Sequence, residues 1–177
     1  VGQLLLLLLA SWLAWRWISA PVPSPGLPAE GWSGRVVRVI DGDTLLIEGG
    51  YRVRLLGVDT PETKHPQRPA EPWGSEASDF TRARVEGQQV QLEFDRARHD
   101  DYGRWLAYVW IDGVLLNEEL IAQGFSRAET GFPFRSDRQR QFRKAEEQAR
   151  REERGIWSAS STALSKQPAT SANSGPQ

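Results

Sequence analysis

RVVRVIDGDTLLIEGGYRVRLLGVDTPE, residues 35–62, is the stretch that decides how this chain folds. Arg35 to Ile40 and Thr44 to Glu48 flank Asp41-Gly42-Asp43, a strong turn sequence, and read as successive strands. Tyr51 to Val58 alternates, with Val53 and Leu55 on one face and Arg52 and Arg54 on the other. Two further strands are expected downstream, at Gln88 to Phe94 and at Trp105 to Ile111, the latter leading into an Asp112-Gly113 turn.

Helical signals come between and after these strands. Ser75 to Glu86 ends at Gly87, a natural C-terminal stop, and Asn117 is positioned to cap a short helix ending at Gly124. The longest helix is expected from Ser136, where Ser136-x-x-Gln139 matches a capping box, to Arg154 before Gly155. Its inner stripe is Phe142, Ala145 and Ala149. About five strands with three helices give an α+β domain in which a small closed sheet, of OB type, packs against helices. Strand order does not follow from these patterns.

Outside residues 33–158 the chain changes character. Leu4 to Trp15 is a continuous weakly polar run, shorter than the ~20 residues that usually span a bilayer. Arg16 interrupts it, Trp12, Trp15 and Trp17 resemble interfacial residues, and Ser19-Ala20 offers a small-residue cleavage site. A charged n-region is missing. Residues 1–20 are therefore expected to be a signal peptide or an N-terminal membrane anchor. The chain is expected to be exported, periplasmic or extracellular, and membrane-held only through residues 4–19 if the leader stays. Residues 21–32 read as a Pro-rich linker. Residues 159–177, rich in Ser, Ala and Thr, are expected to be disordered.

Composition narrows the chemistry. The 177 residues contain no cysteine, which excludes disulfides, thiolate metal sites and thiol nucleophiles. Net charge is -1, whereas chains that hold polynucleotides electrostatically are usually strongly basic. Positive charge gathers on the third helix between Arg135 and Arg154, where Glu146, Glu147, Glu152 and Glu153 can pair with it as a solvated face.

Three segments place hard oxygen ligands or guanidinium groups beside turns and strand ends: Asp41-Gly42-Asp43-Thr44, Arg54 with Asp59-Thr60-Pro61-Glu62, and Asp100-Asp101-Tyr102-Gly103-Arg104. Phosphoryl chemistry suits this set. Carboxylates bind calcium or magnesium, two histidines are too few to favour zinc, and arginine matches phosphate oxygens bidentately. A carboxylate left off the metal can orient or deprotonate water. His65 and His99 read as surface residues, and Asp112-Gly113 as only a turn.

VIDGDT (39–44), RLLGVDTPETKHP (54–66), DYGRWLAYV (101–109) and GIWS (155–158) resemble, in order and at compatible spacings, the signatures of the staphylococcal nuclease (thermonuclease) family. The resemblance covers residues 33–158 and implies a five-stranded OB-fold β-barrel with three α-helices. It implies a calcium-dependent nuclease that cleaves DNA and RNA with little sequence preference, best when single-stranded, leaving 3′-phosphates. By the same resemblance Asp43, Asp59 and the Thr60 carbonyl hold calcium, Glu62 is the general base, and Arg54 and Arg104 grip the scissile phosphate. Tyr102 lines the nucleotide site, and Asp41 shapes the turn.

Two departures stand out. Asp101 replaces a lysine near the terminal phosphate, and Thr130 and Phe132 occupy the place of a base-stacking tyrosine pair, where only Phe132 can stack. Substrate binding is therefore assigned to Tyr102 and Phe132. A monomer is expected. The alternatives are a catalytically inactive nucleic-acid-binding OB module and a membrane-anchored protein-binding scaffold. Joint presence of Asp43, Asp59, Glu62, Arg54 and Arg104 favours the enzyme.

Overall fold

The computed structural model describes residues 31–63 and 69–158. The leader, most of the linker, the C-terminal tail and His65 lie outside the described residues. Among the described residues, eight strands and three α-helices follow in chain order: β1 (Trp32–Asp41), β2 (Thr44–Ile47), β3 (Arg52–Leu55), β4 (Val58–Asp59), α1 (Gly74–Val85), β5 (Gln89–His99), β6 (Trp105–Ile111), β7 (Val114–Leu115), α2 (Leu116–Ala122), β8 (Arg127–Ala128) and α3 (Ser136–Arg151). β1 opens at Trp32, inside the stretch read as linker.

The main sheet runs β3-β2-β1-β5-β6-β7, and β3 also pairs with β6, closing five strands into a barrel. Closure buries the alternate side chains that the sequence pattern sets apart: on β3, Val53 and Leu55 are buried, Arg52 is exposed and Arg54 is half-buried. Val36, Leu45, Ile47, Leu92 and Val109 complete much of the interior. On α3, the stripe of Phe142, Ala145 and Ala149 is buried as its spacing predicts.

The closing contact is parallel, pairing Val53 with Trp105, Arg54 with Leu106 and Leu55 with Ala107. It sets β3 against the start of β6, so that Arg54 and Arg104, fifty residues apart, line one cleft. Nothing in the local pattern predicts that adjacency, because parallel partners are joined only through long connections.

Several local expectations are corrected. The segment Tyr51 to Val58 is two strands, β3 and β4, not one. Gly57 breaks it at φ +72°, and a Cβ there would lie 2.7 Å from the Phe142 ring and 2.9 Å from that of Phe134. β5 continues five residues past Phe94, through an irregular register between Phe94 and His99. The short strands β7 and β8 carry too few residues to show a period.

Asn117 does not cap α2. It is fully buried inside the helix, donates to the carbonyls of Leu56 (2.9 Å) and Ala107 (3.3 Å), and accepts from the Val109 N–H at 2.8 Å. The cap position falls to Leu115, and the Asn117 amide is spent on the Leu56 carbonyl and the Val109 N–H inside the fold. The Ser136–Gln139 capping box is likewise not formed. Arg135 occupies the N-cap and makes no side-chain capping hydrogen bond, and the Gln139 amide donates to the Phe134 carbonyl at 3.1 Å.

Candidate active site

The β1–β2 turn sets the first part of the site. Gly42 is needed there for space: a Cβ would sit 2.8 Å from Thr60 Oγ1 and 3.1 Å from Ala77 Cβ. Asp41 Oδ1 accepts hydrogen bonds from the Gly42 N–H (2.9 Å), Ser78 Oγ (3.0 Å) and Thr63 Oγ1 (3.1 Å). Its carboxylate thus ties the turn to α1 and to the loop after Asp59, as a turn-shaping residue does.

Asp43, next but one, faces the other way. It is buried, and its Oδ2 accepts from both the N–H and the hydroxyl of Thr60, each at 3.1 Å. The Arg54 guanidinium forms an ion pair with the same oxygen and reaches Asp59 Oδ1 at 3.4 Å. Two carboxylates thus converge on one guanidinium. Asp59 is held by β4, which pairs antiparallel with β8, and its N–H donates to Ser126 Oγ at 2.8 Å. Burial raises the Asp59 carboxyl above the usual carboxylate range, Arg54 opposes this, and the charges of Asp43 and Glu129 add to it.

The β5–β6 turn supplies the opposite wall. Asp100 accepts from the N–H groups of Tyr102 and Arg104 at 2.9 Å and from Arg104 Nε at 2.6 Å. Burial pushes its carboxyl up, but these hydrogen bonds outweigh burial and hold it below the ordinary value. Arg104 also reaches Thr44 Oγ1 at 3.5 Å, and its guanidinium lies 5.6 Å from the Tyr102 ring centroid. Aim and orientation of Arg104 are therefore fixed by a residue, Asp100, to which the sequence assigned no role.

These walls enclose a cleft of about 340 Å³ lined by Ile40, Asp41, Asp43, Thr44, Arg52, Arg54, Asp59, Thr60, Glu62 and Arg104. All six residues expected to bind metal or carry catalysis are among them. Glu62 is exposed, and its loop is pinned by reciprocal bonds: its N–H donates to the Glu71 carboxylate at 3.2 Å, and the Glu71 N–H to its carbonyl at 2.9 Å. A second cavity, of about 310 Å³, shares Arg54 and Arg104 and extends past Leu106, His99 and Asp101 to Phe132. Tyr102 and Phe132 are 75% and 68% exposed; Phe132 lines the second cavity, and Tyr102, which lines neither, carries the Arg104 guanidinium over one face of its ring. Thr130 is turned to α3, its hydroxyl accepting from Arg143 at 3.1 Å.

The family model described as "Staphylococcal nuclease homologue" matches residues 52–159. The chain belongs to the staphylococcal nuclease family. It is 42% identical over 144 residues to a thermonuclease of Staphylococcus hyicus, covering 79% of this chain and 85% of that protein. A thermonuclease of Staphylococcus intermedius is 39% identical over 162 residues, covering 88% and 95%. Endonuclease YncB of Bacillus subtilis (strain 168) is 42% identical over 127 residues, 70% of this chain and 60% of that one.

The donor set fits the calcium expected of a staphylococcal nuclease. Asp43 and Asp59 are hard oxygen ligands brought together at a partly desolvated position, where Arg54 is the counter-charge shared by both. Two carboxylates, with carbonyl, water and phosphate oxygens, are an ordinary complement for calcium or magnesium. Among the described residues no group of three or more acidic, histidine or cysteine side chains is placed to hold a metal ion.

Proposed function

We propose that this member of the family is a calcium-dependent nuclease that hydrolyses phosphodiester bonds of DNA and RNA with low sequence specificity. The observation that carries the reading is the meeting of Asp43, Asp59, Thr60, Glu62, Arg54 and Arg104 around one open cleft. Calcium would be held by the Asp43 and Asp59 carboxylates with the Thr60 carbonyl. When bound it supplies fixed positive charge against the phosphoryl oxygens.

The chain's own groups account for the remaining chemistry. Arg54 and Arg104 clamp the phosphate and offset the charge that grows on its oxygens as water adds. Asp100 keeps Arg104 aimed, so little reorganisation is needed at the moment of reaction. Glu62 takes the proton from the attacking water. The bond from phosphorus to the 5′ oxygen breaks, and the products are a 3′-phosphate and a 5′-hydroxyl. Tyr102 and Phe132 offer stacking faces to unpaired bases, which favours single strands.

Export completes the reading. Extracellular calcium modules commonly have affinities near 10⁻⁴–10⁻³ M, so a two-carboxylate site fills outside the cytosol and stays largely empty within it. Residues 1–20 would direct export or anchor the chain, and the protein would act as a monomer.

The test is digestion of single-stranded DNA and RNA by the full chain with calcium, then with excess chelator. Calcium-dependent cleavage that leaves 3′-phosphates is the expected result. Binding without cleavage would instead make the chain a non-catalytic nucleic-acid module. Neither binding nor cleavage would leave a protein-binding scaffold.

A further inference from the structure

Arg52 lines the same cleft as Arg54 and Arg104. The three guanidinium groups are held differently. Arg54 is shared between Asp43 and Asp59, and Arg104 is fastened to Asp100. Arg52 is exposed, and among the described residues it forms no ion pair; its one hydrogen bond there is a long one, 3.4 Å, to the Tyr102 carbonyl. Among the described residues it is thus the one arginine of the cleft not bound to a carboxylate, since the other two are each held by one or more.

Position on β3 sets what that charge can reach. Arg52 and Arg54 alternate with the buried Val53 and so share the outer face of the strand. Two residues on one strand face stand about 6.6 Å apart along the chain direction. This is comparable with the separation of consecutive phosphates in an extended single strand. A polynucleotide whose scissile phosphate rests on Arg54 and Arg104 carries its next phosphate within reach of the long Arg52 side chain.

Resting on the nuclease reading, we propose that Arg52 is a third phosphate-binding residue, which holds the phosphate next to the scissile one. It offsets Asp101, the acidic residue at the lip of the adjoining cavity. It makes the enzyme favour chains with several phosphates over single phosphodiesters. Arg52 is a binding residue in this scheme and takes no part in bond breaking.

The test separates this role from a structural tether on Tyr102. Full-length protein carrying Glu62→Gln is titrated with short single-stranded DNA in calcium at several salt concentrations. Adding Arg52→Gln, which keeps a donor for the Tyr102 carbonyl and loses the charge, weakens binding about fivefold, as expected for one partly exposed charge-assisted bond. The same change flattens the dependence of log affinity on log salt by about 0.7, the value for one single-strand phosphate contact. Arg52→Lys, which keeps the charge, stays close to the parent. In the active enzyme Arg52→Gln raises KM more for an oligonucleotide than for a dinucleotide with one phosphodiester.

An unchanged salt slope in Arg52→Gln overturns the inference, as does a lysine variant as weak as the glutamine one. Equal KM effects on both substrates also overturn it. If the parent protein neither binds nor cleaves single strands, the nuclease reading falls and the inference falls with it. If the parent binds and cleaves but Arg52→Gln matches it, the inference about Arg52 alone is wrong.

Discussion

Asp59 and Asp95 are both acidic residues close to arginine and to the barrel, yet their surroundings differ in kind. Asp95 lies where β5 leaves its regular register, and it is surrounded by donors: Tyr108 Oη at 2.7 Å and the N–H groups of Arg96 (2.7 Å) and Arg135 (2.9 Å). Burial alone would raise its carboxyl, but the three hydrogen bonds outweigh burial and hold it below its ordinary value. The same contact, with burial, raises the Tyr108 phenol. Nearby, Glu93 joins Arg135, Arg138 and the Trp110 indole, so the start of α3 is fastened to the barrel.

Around Asp59 the balance reverses. A second carboxylate, Asp43, shares the one guanidinium, and burial raises the Asp59 carboxyl. The Asp95 carboxylate is satisfied by the protein itself and serves to position a helix. The groups around Asp59 leave negative charge in excess of what the protein neutralises, which is the condition for binding a cation. Residue type alone does not separate the two cases. The count of donors within reach does.

Substitutions can break this contrast, and the largest effect belongs to the cleft. Glu62→Gln is expected to lower turnover by about 10²–10⁴-fold, the usual worth of a positioned general base, while the thermal midpoint stays unchanged. Near-normal turnover in the folded variant would mean the base lies elsewhere. In the Asp95 network the loss falls on stability. Asp95→Ala removes a charged acceptor from three donors and should cost about 2 kcal/mol in denaturant unfolding, with turnover per folded molecule unchanged. A large loss of turnover without loss of stability would erase the distinction between the two regions.

Phe132→Ala should weaken binding of single strands by about tenfold, within the range of one lost stacking contact, and leave duplex cleavage less affected. Equal losses on both substrates would remove Phe132 from the base-binding surface. The smallest effect concerns acid. Because the Asp95 carboxyl is lowered on folding, its contribution is fully present above the unfolded value near 3.8 and is lost as pH falls through the folded value. Asp95→Asn should therefore lose less stability than the parent between about pH 4 and pH 2, measured by chemical denaturation. A parallel decline in both proteins would place the acid sensitivity at other carboxylates, Asp100 among them.

Much of the fold was legible because its signals are local. The alternation of Arg52 to Leu55 and the Phe142, Ala145, Ala149 stripe each state which face is buried, and both faces are buried as read. Misreadings arose where a residue serves a distant partner. Asn117 looks like a helix cap in sequence, but its amide is committed to Leu56, Ala107 and Val109. Gln139 completes a capping-box pattern and instead bonds the Phe134 carbonyl. Short-range pattern cannot report such competition, because the preferred partner is chosen by packing.

The sequence by itself determined the family and the residues on which the proposed chemistry rests, since the motifs around Asp43, Arg54, Asp59, Glu62 and Arg104 are contiguous runs that can be recognised without a structure. It also marked Arg52 and Arg54 as sharing a strand face. The tertiary structure alone decided that Arg54 and Arg104 line one cleft, through the parallel pairing of β3 with β6. It alone decided that Asp100 aims Arg104 and that Arg52, in the same cleft, has no carboxylate partner among the described residues. The physical reason is common to all three. A side chain's charge is written in the sequence, but whether that charge is already neutralised depends on neighbours that only chain closure brings within hydrogen-bonding distance.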